Sequence, residues 1–127
     1  MSDLHAVFAS LTAIMAPYKA LLDVKQDGPT TLYLDTRHIQ KNKSPLFFGA
    51  VQSKTSFVSY YLMPVYLQPA LLDDVSPGLK RRMQGKSCFN FADVDQALFD
   101  ELSALTRASY ASYQAQGFVS GPPTGKP

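Results

Sequence analysis

Residues 57–91, FVSYYLMPVYLQPALLDDVSPGLKRRMQGKSCFNF, decide the fold. Phe57 to Met63 is rich in aromatic and branched residues, which suit a pleated, half-buried surface and predict a strand. Its alternation puts Val58, Tyr60 and Leu62 on one face and Phe57, Ser59, Tyr61 and Met63 on the other. Pro64 cannot donate to a ladder, so the strand is expected to end before it. Pro69 can start a short helical turn through Leu72. Ser76 and Pro77 pair an N-cap with a proline at the first helical position. Leu79 and Met83, four apart, share a helical face, with Lys80, Arg81 and Arg82 around them. Gly85 is the expected C-cap, and Ser87 to Phe91 the last strand.

Upstream, Leu4, Val7, Phe8, Leu11, Ile14, Met15, Tyr18, Leu21 and Leu22 recur at helical spacing, with Ser2 or Asp3 as cap. Pro17 is expected to kink or split this helix after Ala16, and Asp27-Gly28-Pro29 to end it. Thr30 to Thr36 reads as a strand, Arg37 to Pro45 as a polar loop and Leu46 to Gln52 as a second strand. Ser53 to Ser56 form a tight turn into the strand at Phe57. Downstream, a helix runs from about Asp95 to Gln116, with Asp93 and Asp95 as rival N-caps. The reading is a single α/β domain of the α+β type. A four-stranded antiparallel sheet carries the N- and C-terminal helices mainly on one face. The domain is expected over residues 1–116, with 117–127, GFVSGPPTGKP, as a disordered tail.

Three segments, FFGAV at 47–51, VSYYLMPVY at 58–66 and LKRRMQGKSCFNF at 79–91, resemble the YdhG-like family of small bacterial domains of unknown function. The similarity covers roughly residues 4–114. It implies a small α/β fold with an antiparallel sheet. One branch has been likened to frataxin and called an intracellular iron chaperone, so iron enters as a cofactor through the resemblance alone. A frataxin-type site would need an acidic ridge on the first helix and adjoining strand. Here those elements offer Asp3, Asp23 and Asp35, whereas hard cations want several converging oxygens.

The bulk numbers exclude several classes. The chain has 127 residues, enough for one domain. A net charge of +2 is too small to imply nucleic acid or an acidic membrane. The apolar start lacks a basic n-region and is too short to span a bilayer, so neither export nor membrane insertion is expected. One cysteine excludes an internal disulfide framework and fits a reducing, cytoplasmic setting.

No catalytic signature is present. Gly85-Lys86-Ser87 fails as a phosphate loop, because Lys80 stands where a glycine is required and the triplet leads into a strand. Cys88 reads as a small core residue, with neither His5 nor His38 tied to it by spacing. Asp73 and Asp74 read as a solvated turn. Asp93, Asp95, Asp100 and Glu101 read as caps and surface residues. Tyr33, Tyr60 and Tyr61 are candidates for a pocket on the sheet face. In an antiparallel meander, Arg37, Lys41 and Lys43 lie at the end of the sheet where Lys80, Arg81, Lys86 and Ser87 are also expected. Gathered cations favour a bound phosphate or carboxylate. The expected function is non-enzymatic binding of a small anionic ligand or a partner protein. The alternatives are the iron chaperone of the family resemblance and a thiol enzyme using Cys88.

Overall fold

In a computed structural model, residues 3–119 are described. Helix α1 (Leu4–Met15) begins at Asp3, whose carboxylate accepts the Ala6 amide at 3.2 Å. It buries Val7, Leu11 and Met15. Pro17 removes a backbone donor, and the chain tightens into a 3-10 turn over Ala16–Ala20. Tyr18 and Leu22 keep the apolar stripe inside.

From here the chain departs from expectation. Asp23–Asp27 is no part of a helix; it is an edge strand, β1, antiparallel to β2 (Thr31–Ile39). Its residues are exposed but for Asp23, so no alternating apolar signal marks it in the sequence. The sheet therefore has five strands rather than four. β3 (Pro45–Ser53), β4 (Val58–Leu62) and β5 (Cys88–Phe91) complete a meander in the order β1-β2-β3-β4-β5, every pair antiparallel.

Two registers run across the sheet. Leu32, Val51, Tyr60 and Phe89 line up on the face covered by helices. Tyr33, Ala50, Tyr61 and Cys88 line up on the opposite face. A bulge at Phe48 lets Leu34 pair with Gly49 and Asp35 with Phe47. Phe48 enters the core, where its ring lies 5.6 Å from Tyr18, 5.9 Å from Tyr110 and 5.9 Å from Tyr113.

Tyr60 belongs to that core and not to a sheet-face pocket. It is fully buried, and its hydroxyl lies 2.6 Å from Thr106 Oγ1 on α4 (Gln96–Ala115). Thr106 gives its own proton to the Leu102 carbonyl at 2.8 Å, so Tyr60 is the donor. Even-numbered residues of β4 face the helices, which is why Tyr60 and Tyr61 part company. Asp95 wins the N-cap of α4, accepting the Leu98 amide at 3.2 Å.

Between β4 and β5 the chain makes helix α2 (Met63–Leu67), a 3-10 turn over Pro69–Leu72 and helix α3 (Pro77–Lys80). Met63 opens α2 and does not end the strand, since a proline is tolerated in a first helical turn. Ser76 caps α3 and donates its hydroxyl to Glu101 Oε1 at 2.5 Å, while its amide donates to Oε2 at 3.0 Å. Glu101 is thus a tie between α4 and α3 and not a free surface carboxylate. α3 stops at Lys80, shorter than the spacing of Leu79 and Met83 predicts. Arg82 to Gln84 instead run beside β5: Gln84 donates to the Cys88 carbonyl at 2.9 Å, and Asn90 to the Arg82 carbonyl at 2.8 Å. The unpaired edge of β5 supplies partners that a further helical turn would have to forgo. Gly85, at φ +84°, makes the tight connection that only glycine adopts without strain.

The end of α4 also differs from expectation. Gly117, at φ +82°, sends its amide to the Gln114 carbonyl at 3.0 Å, and Phe118 sends its own to Tyr113 at 2.9 Å. This is a Schellman cap, with the accompanying contact between the Phe118 and Tyr113 rings at 5.4 Å. Residues 117–119 are therefore part of the packed unit, and Phe118 and Val119 rest on the core. The remainder of the expected tail, 120–127, lies outside the described residues. Among the described residues, no helix is long and apolar enough to cross a membrane.

Candidate functional site

The end of β2, the short turn at 40–44 and the cap of α4 meet at one end of the sheet. Arg37, His38 and Ile39 are strand residues and Pro45 opens β3, so the polar loop expected over Arg37 to Pro45 is shorter at both ends, because its first three residues stay in the β2 ladder. Side chains of the strand end and the turn shape this corner. Thr36 Oγ1 donates to the Leu46 carbonyl at 2.9 Å and accepts the His38 amide at 3.1 Å. Asn42 Oδ1 accepts the Ser44 amide at 2.9 Å, and Lys43 takes a left-handed backbone, φ 70°. His38 is thereby held against Phe118, with ring centres 4.7 Å apart and planes at 45°.

This ring pair stands between two hollows and lines both. One, about 250 Å³, is walled by Leu21, Leu22 and Arg37. The other, about 500 Å³, is walled by Gln40, Lys41, Leu46 and Leu67. Among the described residues, no carboxylate lines either one. Arg37 Nε donates to Asp23 Oδ1 at 3.2 Å, which fixes the guanidinium by one edge. The fork still has donors to spare. Within electrostatic reach of Arg37 is Tyr110, fully buried, whose hydroxyl has no hydrogen-bond partner among the described residues. Burial pushes its pKa up, and the Arg37 charge works against that shift.

The basic residues expected to gather here divide. Arg37 and Lys41 line the two hollows around His38. Lys86 lines a third, about 390 Å³, with Val65, Tyr66, Leu72 and Met83. Leu67 walls the His38 side and Val65 and Tyr66 the Lys86 side, so α2 contributes to both. Lys43, Lys80, Arg81 and Ser87 line none of these three hollows. The Ser87 carbonyl instead accepts the Leu62 amide at 2.8 Å and extends the pairing of β4 and β5. His38, Gln40 and Phe118 are the residues that the sequence reading passed over. The signal for Phe118 was present: a glycine followed by an apolar residue just beyond a helix.

On the helix-free face, Tyr33 packs against Phe47 with ring centres 4.7 Å apart. Cys88 is half-buried there, donating to Asn90 Oδ1 at 3.4 Å. Burial raises its pKa, and hydrogen bonds with Ser59 and Tyr61 together with the Lys54 charge offset part of the rise. The thiol is thus less ionised at neutral pH than a free cysteine. Labelling by a maleimide or disulfide reagent at pH 7 is expected to be slower in the folded protein than in urea. Labelling at the unfolded rate would revive the thiol-enzyme reading.

The acidic residues of the iron expectation serve other ends. Asp3 caps α1, and Asp23 pairs with Arg37. Asp35 is only 8% exposed and sits opposite Asp23 across the β1–β2 pair. Burial raises its pKa first; Lys25 lowers it and Asp23 raises it further. Among the described residues, no group of three or more metal-binding side chains converges.

A raised folded-state pKa means that the native state holds this proton more tightly than the unfolded chain. The benefit is complete below the unfolded pKa and is lost as pH rises through the folded one. Asp35→Asn is therefore expected to raise the melting temperature at pH 7, with the gain shrinking as pH falls towards about 4. A gain that grows on acidification would contradict the assignment.

No family profile, no curated protein and no solved structure matches the chain.

Proposed function

We propose that the chain is a non-enzymatic binding domain, and that its site is the cleft divided by the His38–Phe118 ring pair. The ligand is a small anion with an apolar or aromatic body. The observation that supports this reading is the lining itself. Two rings and the aliphatic Leu21, Leu22, Leu46 and Leu67 stand beside Arg37 and Lys41; among the described residues no carboxylate lines the cleft, and Asp23 takes only one edge of the Arg37 fork. An apolar wall with a few convergent polar groups is the usual build of a small-molecule site. The apolar part of a ligand would lie against His38 and Phe118. Its phosphate or carboxylate would take the free edge of the Arg37 fork or the Lys41 ammonium.

The resemblance to YdhG-like domains belongs with this reading, as does a cytoplasmic setting, for which the single unpaired cysteine is the support. Both are inferences from sequence.

Thermal unfolding in phenyl phosphate, inorganic phosphate and chloride at equal ionic strength tests the proposal. Ligand at about 100 times its Kd stabilises by about 2.7 kcal/mol, a rise of several degrees for a domain of this size. Phenyl phosphate is expected to give the larger rise. The response should be lost in His38→Ala with Lys41→Ala and kept in Arg81→Ala with Lys86→Ala. Equal responses in the two double variants would leave the cleft without a role.

A further inference from the structure

The two hollows beside His38 share their rings and divide their charges. His38 and Phe118 line both, whereas Arg37 lines only the smaller and Lys41 only the larger. Arg37 stands near the end of β2 and Lys41 in the turn at 40–44, so at most about 14 Å of backbone separates them. Each end has donors to spare. Among the described residues, Arg37 spends Nε on Asp23 and keeps its two terminal nitrogens. Lys41 is in no ion pair among the described residues. Asn42 lines the hollow beside it, spends its side-chain oxygen on the Ser44 amide and keeps its NH2 group. Both rings of the divider are only half-buried, so its outer side is open. A ligand with one anionic group meets one of these cations and leaves the other unmatched.

From this division of charge across a shared ring pair, we infer that the ligand is two-ended: an elongated dianion with an anionic group at each end of an apolar or aromatic body. This ligand class rests on the binding function proposed above and narrows it. One end takes the free edge of the Arg37 fork in the smaller hollow. The other takes the Lys41 ammonium and the Asn42 amide in the larger. The body lies across the open side of the His38 and Phe118 rings. Joining the two ends makes the second contact intramolecular, which raises affinity without any new partner on the protein. Span is therefore part of the recognition. Two anionic groups on neighbouring carbons of one ring stay side by side and reach only one hollow. Size points the same way: about 250 Å³ is small for a ligand site by itself, whereas the two hollows together are of ordinary size.

Calorimetric titration with four aryl phosphates at fixed ionic strength tests this: phenyl phosphate, catechol bisphosphate, hydroquinone bisphosphate and the longer bisphosphate of para,para-biphenol. The catechol and hydroquinone compounds carry the same charge on the same ring and differ only in span, so general attraction to a basic surface cannot separate them. At least one of the two extended bisphosphates is expected to bind, one molecule per chain, about tenfold or more tighter than phenyl phosphate and than the catechol compound. In Arg37→Gln, and equally in Lys41→Gln, it should bind no tighter than phenyl phosphate does. Arg81→Ala with Lys86→Ala should keep the full advantage. Arg37 and Lys41 are exposed, and melting temperature checks that each variant folds. Phenyl phosphate binding with no gain for either extended bisphosphate overturns the two-ended ligand and leaves the cleft as a site for one-ended anions. Equal gains for the catechol and hydroquinone compounds, two bisphosphates per chain, or an advantage that survives in either single variant also overturn it. If none of the four compounds binds, the cleft itself falls with it.

Discussion

Replacing Gly49 with alanine is expected to destabilise the protein by about 3 kcal/mol or more. An added Cβ would stand 2.7 Å from Met15 Cε and 2.8 Å from the Tyr61 carbonyl oxygen. The methionine end could swing away elsewhere, but Met15 is fully buried and has packed neighbours to displace. The Tyr61 oxygen has less freedom still, because it belongs to the backbone of β4 beside β3. Relief would require β3 and β4 to part at the point where the Phe48 bulge bends the sheet. β2 pairs with β3 across that bulge and carries His38 near its end, so ligand response should fall along with stability. Urea unfolding with an unchanged m-value measures the loss cleanly. A change within about 0.5 kcal/mol would mean that the bulge is looser than this packing implies.

Ending the chain at Gln116 is expected to cost about 2–3 kcal/mol. Two capping hydrogen bonds go, each of which contributes about 0.5–1.5 kcal/mol. The Phe118 ring goes with them; full burial of a phenylalanine contributes about 1.5–3 kcal/mol, and this ring is only partly covered. The same cut strips one wall from both hollows beside His38, so the phenyl phosphate response should vanish while Lys86 is untouched. Comparing chains that end at Gln116 and at Val119 isolates these three residues. If the two melt together, Phe118 rests on the surface without holding it.

What could be read in the sequence was whatever local chemistry decides. Pro17 breaks the first helix as its missing donor requires, and Ser76 and Asp95 cap theirs through their own oxygens. The antiparallel meander followed from turn residues between alternating strands. What escaped was decided by neighbours. β1 buries no apolar residue, its single valine, Val24, being exposed, and it exists because β2 offers it a ladder. Met83 has helical spacing from Leu79, yet Arg82 to Gln84 pair with the edge of β5. The alternation of β4 already parted Tyr60 from Tyr61, but it could not say which face the helices cover, and they bury Tyr60 while Tyr33 and Tyr61 share the other face.

The candidate site was half legible for the same reason. Arg37 and Lys41 were visible as charges in a loop. Their partners, His38 and Phe118, are 80 positions apart in the chain and meet only through the α4 cap. The helix that forms at Met63–Leu67 contributes to two separate hollows where a continuous basic end was expected.

Amide chemical shifts during titration with phenyl phosphate address the central claim most directly. The account predicts saturable shifts that share one binding constant and concentrate at Arg37 to Asn42, Leu67 and Gly117 to Val119. Shifts that rise without saturating, or that spread equally over Lys54, Lys80 to Arg82 and Lys86, would mean that the anion merely screens surface charge. The His38–Phe118 cleft would then not be a binding site.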